Sequence, residues 1–125
     1  MNRTELETYI CETYGAAAEF PWLKHPRYMV FRHGGNHKWF AVVMDLPSEK
    51  LGLPSGEPVD VLNVKCDPLL LGSLLREAGF YPAYHMSKAS WVTVALDGSV
   101  SDEKIKWLLA MSFDLTAPKV RKKPV

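Results

Sequence analysis

Apolar positions recur along this chain at two spacings, and the switches between them mark out its elements. Leu6, Ile10 and Tyr14, with Tyr9 and Thr13 beside them, predict an amphipathic helix over about Glu5–Tyr14. Thr4, with Glu7 three residues on, reads as a capping box, and Gly15 as the stop. From Arg27 the pattern changes to short runs of β-branched and aromatic residues. Strands are expected over Arg27–His33 and Lys38–Asp45, joined by Gly34-Gly35-Asn36-His37, whose glycines and asparagine supply the positive φ of a tight hairpin. Closing that turn symmetrically opposes His33 to Lys38, Arg32 to Trp39 and Phe31 to Phe40. Met29, Phe31, Phe40, Val42 and Met44 then share a core face, and Arg32 meets Trp39 on the other in a cation–π contact. Val30, Ala41 and Val43 fall on the face away from the core.

A third strand follows over Val59–Cys66, with Leu62 and Val64 on one side and Asn63 and Lys65 on the other. Asp67-Pro68 supplies an N-cap and a first-turn proline for a second helix, with Leu70, Leu71, Leu74, Leu75 and Ala78 as its buried stripe and Gly79 as its end. Two more strands are expected over Tyr81–Met86 and Trp91–Leu96. Asp97-Gly98 turns the chain into a third helix capped by Ser101, with Val100 stapled to Ile105 and an inner face of Ile105, Leu108, Leu109 and Ser112. The connector Leu46–Pro58 is long for so compact a domain, a length shared by functional loops and solvated ones. The order α-β(3)-α-β(2)-α predicts an α+β fold: a five-stranded antiparallel or mixed sheet with the helices packed on one side. One domain is expected over residues 1–118, with 119–125 a basic, disordered tail.

With 125 residues the chain can bury one sizeable core. Its apolar runs are too short to span a bilayer and its first residues are polar, so a cytoplasmic location and no membrane partner are expected. Cys11 and Cys66, far apart, read as two buried thiols. Charge matters more in its distribution than in its total of +1. Without the four cations of the tail, eleven basic residues face fourteen acidic ones, a net charge of −3, which opposes strong duplex binding by the body as a whole. Yet Phe20–Met44 holds Lys24, Arg27, Arg32 and Lys38 with three histidines and no acid, so one face can be basic.

Catalytic and metal chemistry find little support. Cys66 and His85 could form a nucleophile–base pair, but Cys66 lies at a strand end on the Leu62/Val64 face, where a buried thiol packs well. His25, His33 and His37 lack helical i, i+4 spacing and any companion Cys or carboxylate cluster, and His33 and His37 flank a turn where solvation is the simpler reading. Gly34-Gly35 lies within a hairpin rather than between a strand and a helix, so it is no phosphate loop. No catalytic residue, metal or cofactor is expected. What remains is a binding surface. Lys38 and Trp39 belong to the first hairpin, Lys65 projects from the third strand beside Asn63, and His85, Lys88 and Trp91 belong to the last hairpin. Lysines would neutralise phosphates, and an indole would stack on a base. Trp91 and Tyr84 also fit as core aromatics whose polar tips find backbone partners.

Three segments carry a family resemblance: Asn63-Val64-Lys65-Cys66-Asp67-Pro68, Tyr84-His85-Met86-Ser87-Lys88 with Ser90-Trp91, and Leu96-Asp97-Gly98, with His37-Lys38-Trp39-Phe40-Ala41 in support. Together they resemble the MmcQ/YjbR-like proteins, small bacterial proteins of CyaY-like α+β fold, and the resemblance covers nearly the whole chain. Ser87 stands where that family commonly has asparagine, and Ser90 where it has histidine. The resemblance implies DNA binding through two hairpin wings, a role proposed for some members. It carries no iron site, because the acidic first helix of the frataxin homologue is reduced here to Glu5, Glu7 and Glu12. Two functions are therefore expected in competition. One is a non-enzymatic nucleic-acid-binding domain using Lys38, Lys65, His85, Lys88 and Trp91. The other is a protein- or small-ligand-binding module resembling secretion chaperones, with a protein partner or a homodimer docked on Val30, Ala41 and Val43.

Overall fold

The computed structural model describes residues 1–54 and 56–118; the basic tail expected at 119–125 lies outside the described residues. Three helices, α1 (Arg3–Tyr14), α2 (Pro68–Leu74) and α3 (Asp102–Thr116), accompany five strands: β1 (Met29–Arg32), β2 (Trp39–Leu46), β3 (Val59–Lys65), β4 (Phe80–Pro82) and β5 (Trp91–Ala95). The sheet runs β1-β2-β3-β5-β4 with every neighbouring pair antiparallel. Leu6 and Ile10 of α1, Leu74 of α2 and Ile105, Leu108 and Leu109 of α3 share one core with Met29, Phe31, Ala41, Val43, Leu62, Val64, Val92 and Val94. The helices thus cover one face of the sheet, and this is the expected α+β architecture.

The first hairpin departs from its symmetric closure. Arg32 opposes Trp39 as expected and the Arg32 guanidinium lies 5.7 Å from the indole centroid, but Phe31 opposes Ala41, so Phe40 is an extra residue on β2. One inserted residue reverses the face of everything beyond it. Ala41 and Val43 therefore join the helix-side core, while Val42 and Met44 turn to the opposite face with Val30. Phe40 itself stays among the helices, its ring 5.5 Å from Tyr14 and 5.0 Å from Phe113.

The opposite face is not bare. Tyr28, Val30, Val42, Met44, Leu46 and Val61 form a second buried cluster, covered by Trp22, Trp39, Leu51, Tyr84 and Met86. Apart from Trp39, which begins β2, the cover comes from three irregular segments: the connector around Trp22, the 3₁₀ turn Ser48–Leu51 in the long loop, and the β4–β5 hairpin. A homodimer docked on bare apolar residues of that face thus loses its expected cue, since Val30, Ala41 and Val43 are all fully buried.

Five further expectations shift. Asn2, not Thr4, caps α1, in a capping box with Glu5. Helix α2 ends at Leu74 rather than at Gly79; of its leucine stripe only Leu74 is buried, and Leu69 beside it is 89% exposed. Gly72 and Ser73, both poor helix formers, interrupt that stripe. Strand β4 stops at Pro82, which has no N–H for a longer ladder. His33 is buried rather than solvated: its Nε2 lies 2.9 Å from Thr116 Oγ1, whose hydroxyl donates to the Ser112 carbonyl. Cys66 is buried as expected, whereas Cys11 is exposed.

Ser112 locks α3 to the sheet at the point where β2 and β3 part. Its hydroxyl donates to the Phe40 carbonyl at 2.6 Å and accepts the Lys65 N–H at 2.8 Å. The backbone that carries Lys65 is thereby fixed from the helical side. Gly79, with φ of 88°, turns the chain into β4 under the β5–α3 connection; a β-carbon there would meet Val100 Cγ2 at 2.6 Å.

Candidate nucleic-acid interface

Antiparallel pairing decides which residues share an end of the sheet. Val42 opposes Asn63, and Lys65 opposes Trp91. The start of β2, the end of β3 and the start of β5 therefore lie together. The β1–β2 turn, which ends at Lys38, and the segment Ala83–Ser90 between β4 and β5 both project from this end, one on each side of β3. Neighbouring strands are spaced about 4.8 Å, which puts the starts of β2 and β5 about 10 Å apart. Lys65 ends the strand between the two turns.

Lys65 and Trp91 meet directly, with the lysine Nζ 5.9 Å from the indole centroid. Trp91 is only 8% exposed, so its ring serves as a shelf for the lysine stem rather than as an open stacking surface. Lys38, His85 and Lys88 are exposed. Among the described residues, no carboxylate lies within 4 Å of the Lys38, Lys65 or Lys88 ammonium groups.

The sheet's own carboxylates sit at the other end. Asp45 and Asp60 oppose each other in the β2–β3 ladder, a repulsive pairing relieved by Arg27, which lies 3.2 Å from Asp45 and 3.6 Å from Asp60. Of the acids nearer the hairpin end, Glu19 and Asp67 are engaged, while Asp114 stands in the last turn of α3, whose Thr116 bonds His33 and Asn36 of the first hairpin turn. Glu19 pairs with Arg32 at 3.1 Å, and Asp67 caps α2 by accepting the Leu69 N–H at 2.9 Å.

The last hairpin borders two hollows. Tyr84 and Lys88 line one of about 340 Å³ together with Lys50, Leu51 and Tyr81. His85 and Met86 border the other, a cleft of about 370 Å³. Its walls are Trp22, Tyr28 and Trp39, its base is Met44 on the sheet, and His25 stacks on Tyr28 at its edge, the two rings 4.3 Å apart and nearly parallel. The Trp22 ring packs edge-on against both others, 5.5 Å from Trp39 and 5.8 Å from Tyr28. Burial, followed by the charges of Asp45 and Tyr84, raises the Tyr28 phenol above its ordinary pKa, so it remains a neutral hydroxyl.

The hairpin is held to the sheet by buried polar bonds. The Tyr84 N–H donates to Thr93 Oγ1 at 3.1 Å, and the Thr93 hydroxyl donates to Asn63 Oδ1. Asn63 Nδ2 is buried and has no partner among the described residues. His85, at the tip, has φ of 61°, a left-handed conformation uncommon for a residue with a side chain and concentrated at functional sites.

The five residues singled out in the sequence thus divide. Lys65 and Trp91 touch, His85 borders the aromatic cleft, Lys88 lines the neighbouring hollow, and Lys38 stands at the opposite turn. The cleft itself escaped sequence reasoning. Its aromatic residues come from a proline-broken connector and a strand start, and only the cluster of Trp22, His25 and Tyr28 around two prolines hinted at it. As a nucleophile Cys66 is poorly placed: burial, then the charge of Asp67, pushes its thiol pKa up, and the thiol donates to the Asp67 carbonyl at 3.3 Å. Among the described residues no three His, Cys, Asp or Glu side chains gather as a metal site, and no helix is long and apolar enough to cross a membrane.

Comparisons with known proteins agree over nearly the whole chain. The YjbR family profile matches residues 11–115. The uncharacterised protein YyaQ of Bacillus subtilis is 34% identical over 116 residues, covering 93% of this chain and 98% of its own. A crystal structure of a Pseudomonas syringae protein superposes with a TM-score of 0.92 at 44% identity, covering 94% of this chain and all of that one. A Deinococcus radiodurans protein, a DUF419 domain, superposes at 0.67 with 25% identity over 90% of this chain and 75% of that one.

Proposed function

The chain belongs to the YjbR family, and on that premise we propose that it is a non-enzymatic, cytoplasmic nucleic-acid-binding domain whose two hairpin turns straddle the strand. One observation carries the reading: the sheet register gathers Lys38, Lys65 and the β4–β5 hairpin at one end, with no carboxylate within 4 Å of Lys38, Lys65 or Lys88 among the described residues. Ammonium groups without carboxylate partners can replace counterions along a phosphate backbone. The protein body as a whole is acidic, so the surface works by local concentration of charge rather than by net charge. Trp91 supports Lys65 from beneath, and His85 and Lys88 reach from the hairpin tip.

Fluorescence anisotropy with labelled duplex and single-stranded oligonucleotides at low salt tests this. Binding that weakens steeply with salt is expected. Lys88→Ala is expected to weaken it while deletion of residues 119–125 leaves most of it. Absence of binding at high protein concentration rejects the reading, and binding lost with the tail but kept in Lys88→Ala assigns it to the tail alone. A small-ligand-binding module is the second reading, favoured by the aromatic cleft behind the hairpin.

A further inference from the structure

We propose that the cleft between Trp22, Tyr28, Trp39 and the β4–β5 hairpin is a receptor for one unstacked nucleobase. This deepens the nucleic-acid reading, names its substrate as single-stranded or locally opened strand, and rests on that reading for the strand but not for the base.

Size and wall chemistry select the occupant. A cleft of about 370 Å³ lies at the lower end of small-ligand sites and admits one planar heterocycle with its sugar at the mouth. Three aromatic rings and two thioethers, Met44 and Met86, give flat, polarisable surfaces. Such walls can take the π-face of a heterocycle, and they tolerate any base. Among the described residues no carboxylate lines the cleft, and the Trp39 ring at its wall already carries a cation, the Arg32 guanidinium 5.7 Å from its centroid. The polar groups at its border are the imidazoles of His25 and His85 and the Tyr28 hydroxyl, which exchange hydrogen bonds with the edge of a base.

Charge outside the cleft matches the rest of a nucleotide. The hairpin that gives His85 and Met86 to the cleft gives Tyr84 and Lys88 to the adjoining hollow, where Lys50 joins them. A base held in the first places its phosphates toward the second, where two ammonium groups stand with no carboxylate within 4 Å among the described residues. Paired DNA keeps its bases inside the stack, so occupancy requires a strand that is single or opened, at the unstacking cost usual for extruded bases.

The indole N–H signals of the four tryptophans provide the test. Uniformly ¹⁵N-labelled protein is titrated with adenosine 5′-monophosphate and, separately, with ribose 5-phosphate. The Trp22 and Trp39 indole signals are expected to shift with the nucleotide and to stay in place with the sugar phosphate, while Trp107, on the helical side, stays in place with both. Trp22→Ala is expected to weaken binding of a single-stranded oligonucleotide by about tenfold or more. Trp22 and Trp39 signals unmoved by the nucleotide, or moved equally by ribose 5-phosphate, overturn the base receptor. If they are unmoved while the oligonucleotide still binds, the nucleic-acid reading stands without it. If the nucleotide moves them and no oligonucleotide binds, the base receptor stands and the strand-binding reading falls.

Discussion

Thr93 donates its hydroxyl to the side-chain carbonyl of Asn63 across β5 and β3, in the middle of the sheet and out of reach of water. The same Thr93 oxygen accepts the Tyr84 N–H. One buried hydroxyl therefore fixes the root of the hairpin that presents His85, Met86 and Lys88. Thr93→Val keeps the shape and removes both bonds, leaving the Asn63 carbonyl and the Tyr84 N–H without partners. The expected cost is about 1–3 kcal/mol in urea unfolding, with faster amide exchange at Tyr84 than at Val94.

Ser112 plays the matching part from the helical side. Ser112→Ala leaves the Phe40 carbonyl and the Lys65 N–H unpaired where β2 and β3 separate. A loss of about 1–3 kcal/mol is expected by the same measurement, with weaker nucleic-acid binding because Lys65 loses its anchor.

The cysteines should separate cleanly. Cys66 is buried, its thiol pKa raised by burial and then by Asp67, while Cys11 is exposed. Mass spectrometry after iodoacetamide at neutral pH is expected to find Cys11 labelled and Cys66 free, with both labelled in denaturant. Rapid native labelling of Cys66 would reopen the case for a nucleophile.

Acid should act on the β5–α3 turn. The Ser99 hydroxyl, opposed in part by burial and aided by the Ser99 N–H, holds the Asp97 carboxyl below its ordinary value of 3.8. A depressed folded-state pKa stabilises the fold above the unfolded value and loses that contribution as pH falls through the folded one. Asp97→Asn is thus expected to lower stability at neutral pH, with the gap from the parent protein narrowing below pH 3.8 in acid unfolding.

Much of this architecture is legible in the sequence because its signals are local. Asp67-Pro68 and Ser101 start helices where capping chemistry says they should, and the inner face of α3 is buried as its spacing implies. The bulge at Phe40 is not legible. Phe40 to Met44 are apolar at five successive positions, so alternation cannot report a shift of one residue. That run exists because β2 is covered on both faces, by helices on one and by loops on the other. The same loops build the aromatic cleft. Trp22, Trp39 and Met86 are far apart in sequence and meet only once the connector and the hairpin fold over the sheet. Lys65 and Lys88, by contrast, stand in short motifs; Lys88 is exposed and Lys65 half-buried, in keeping with the cost of fully burying an unpaired charge.

The salt dependence of oligonucleotide binding tests the hairpin-end surface most directly. Anisotropy titrations of the protein and of a Lys65→Ala/Lys88→Ala variant, over a tenfold range of salt, give the number of phosphates each engages. The account predicts that the variant binds more weakly and that its slope is flatter by roughly 1.4–1.8, about 0.7 per lysine on single strands and 0.9 on duplex. Equal slopes and equal affinities in the two proteins would contradict it.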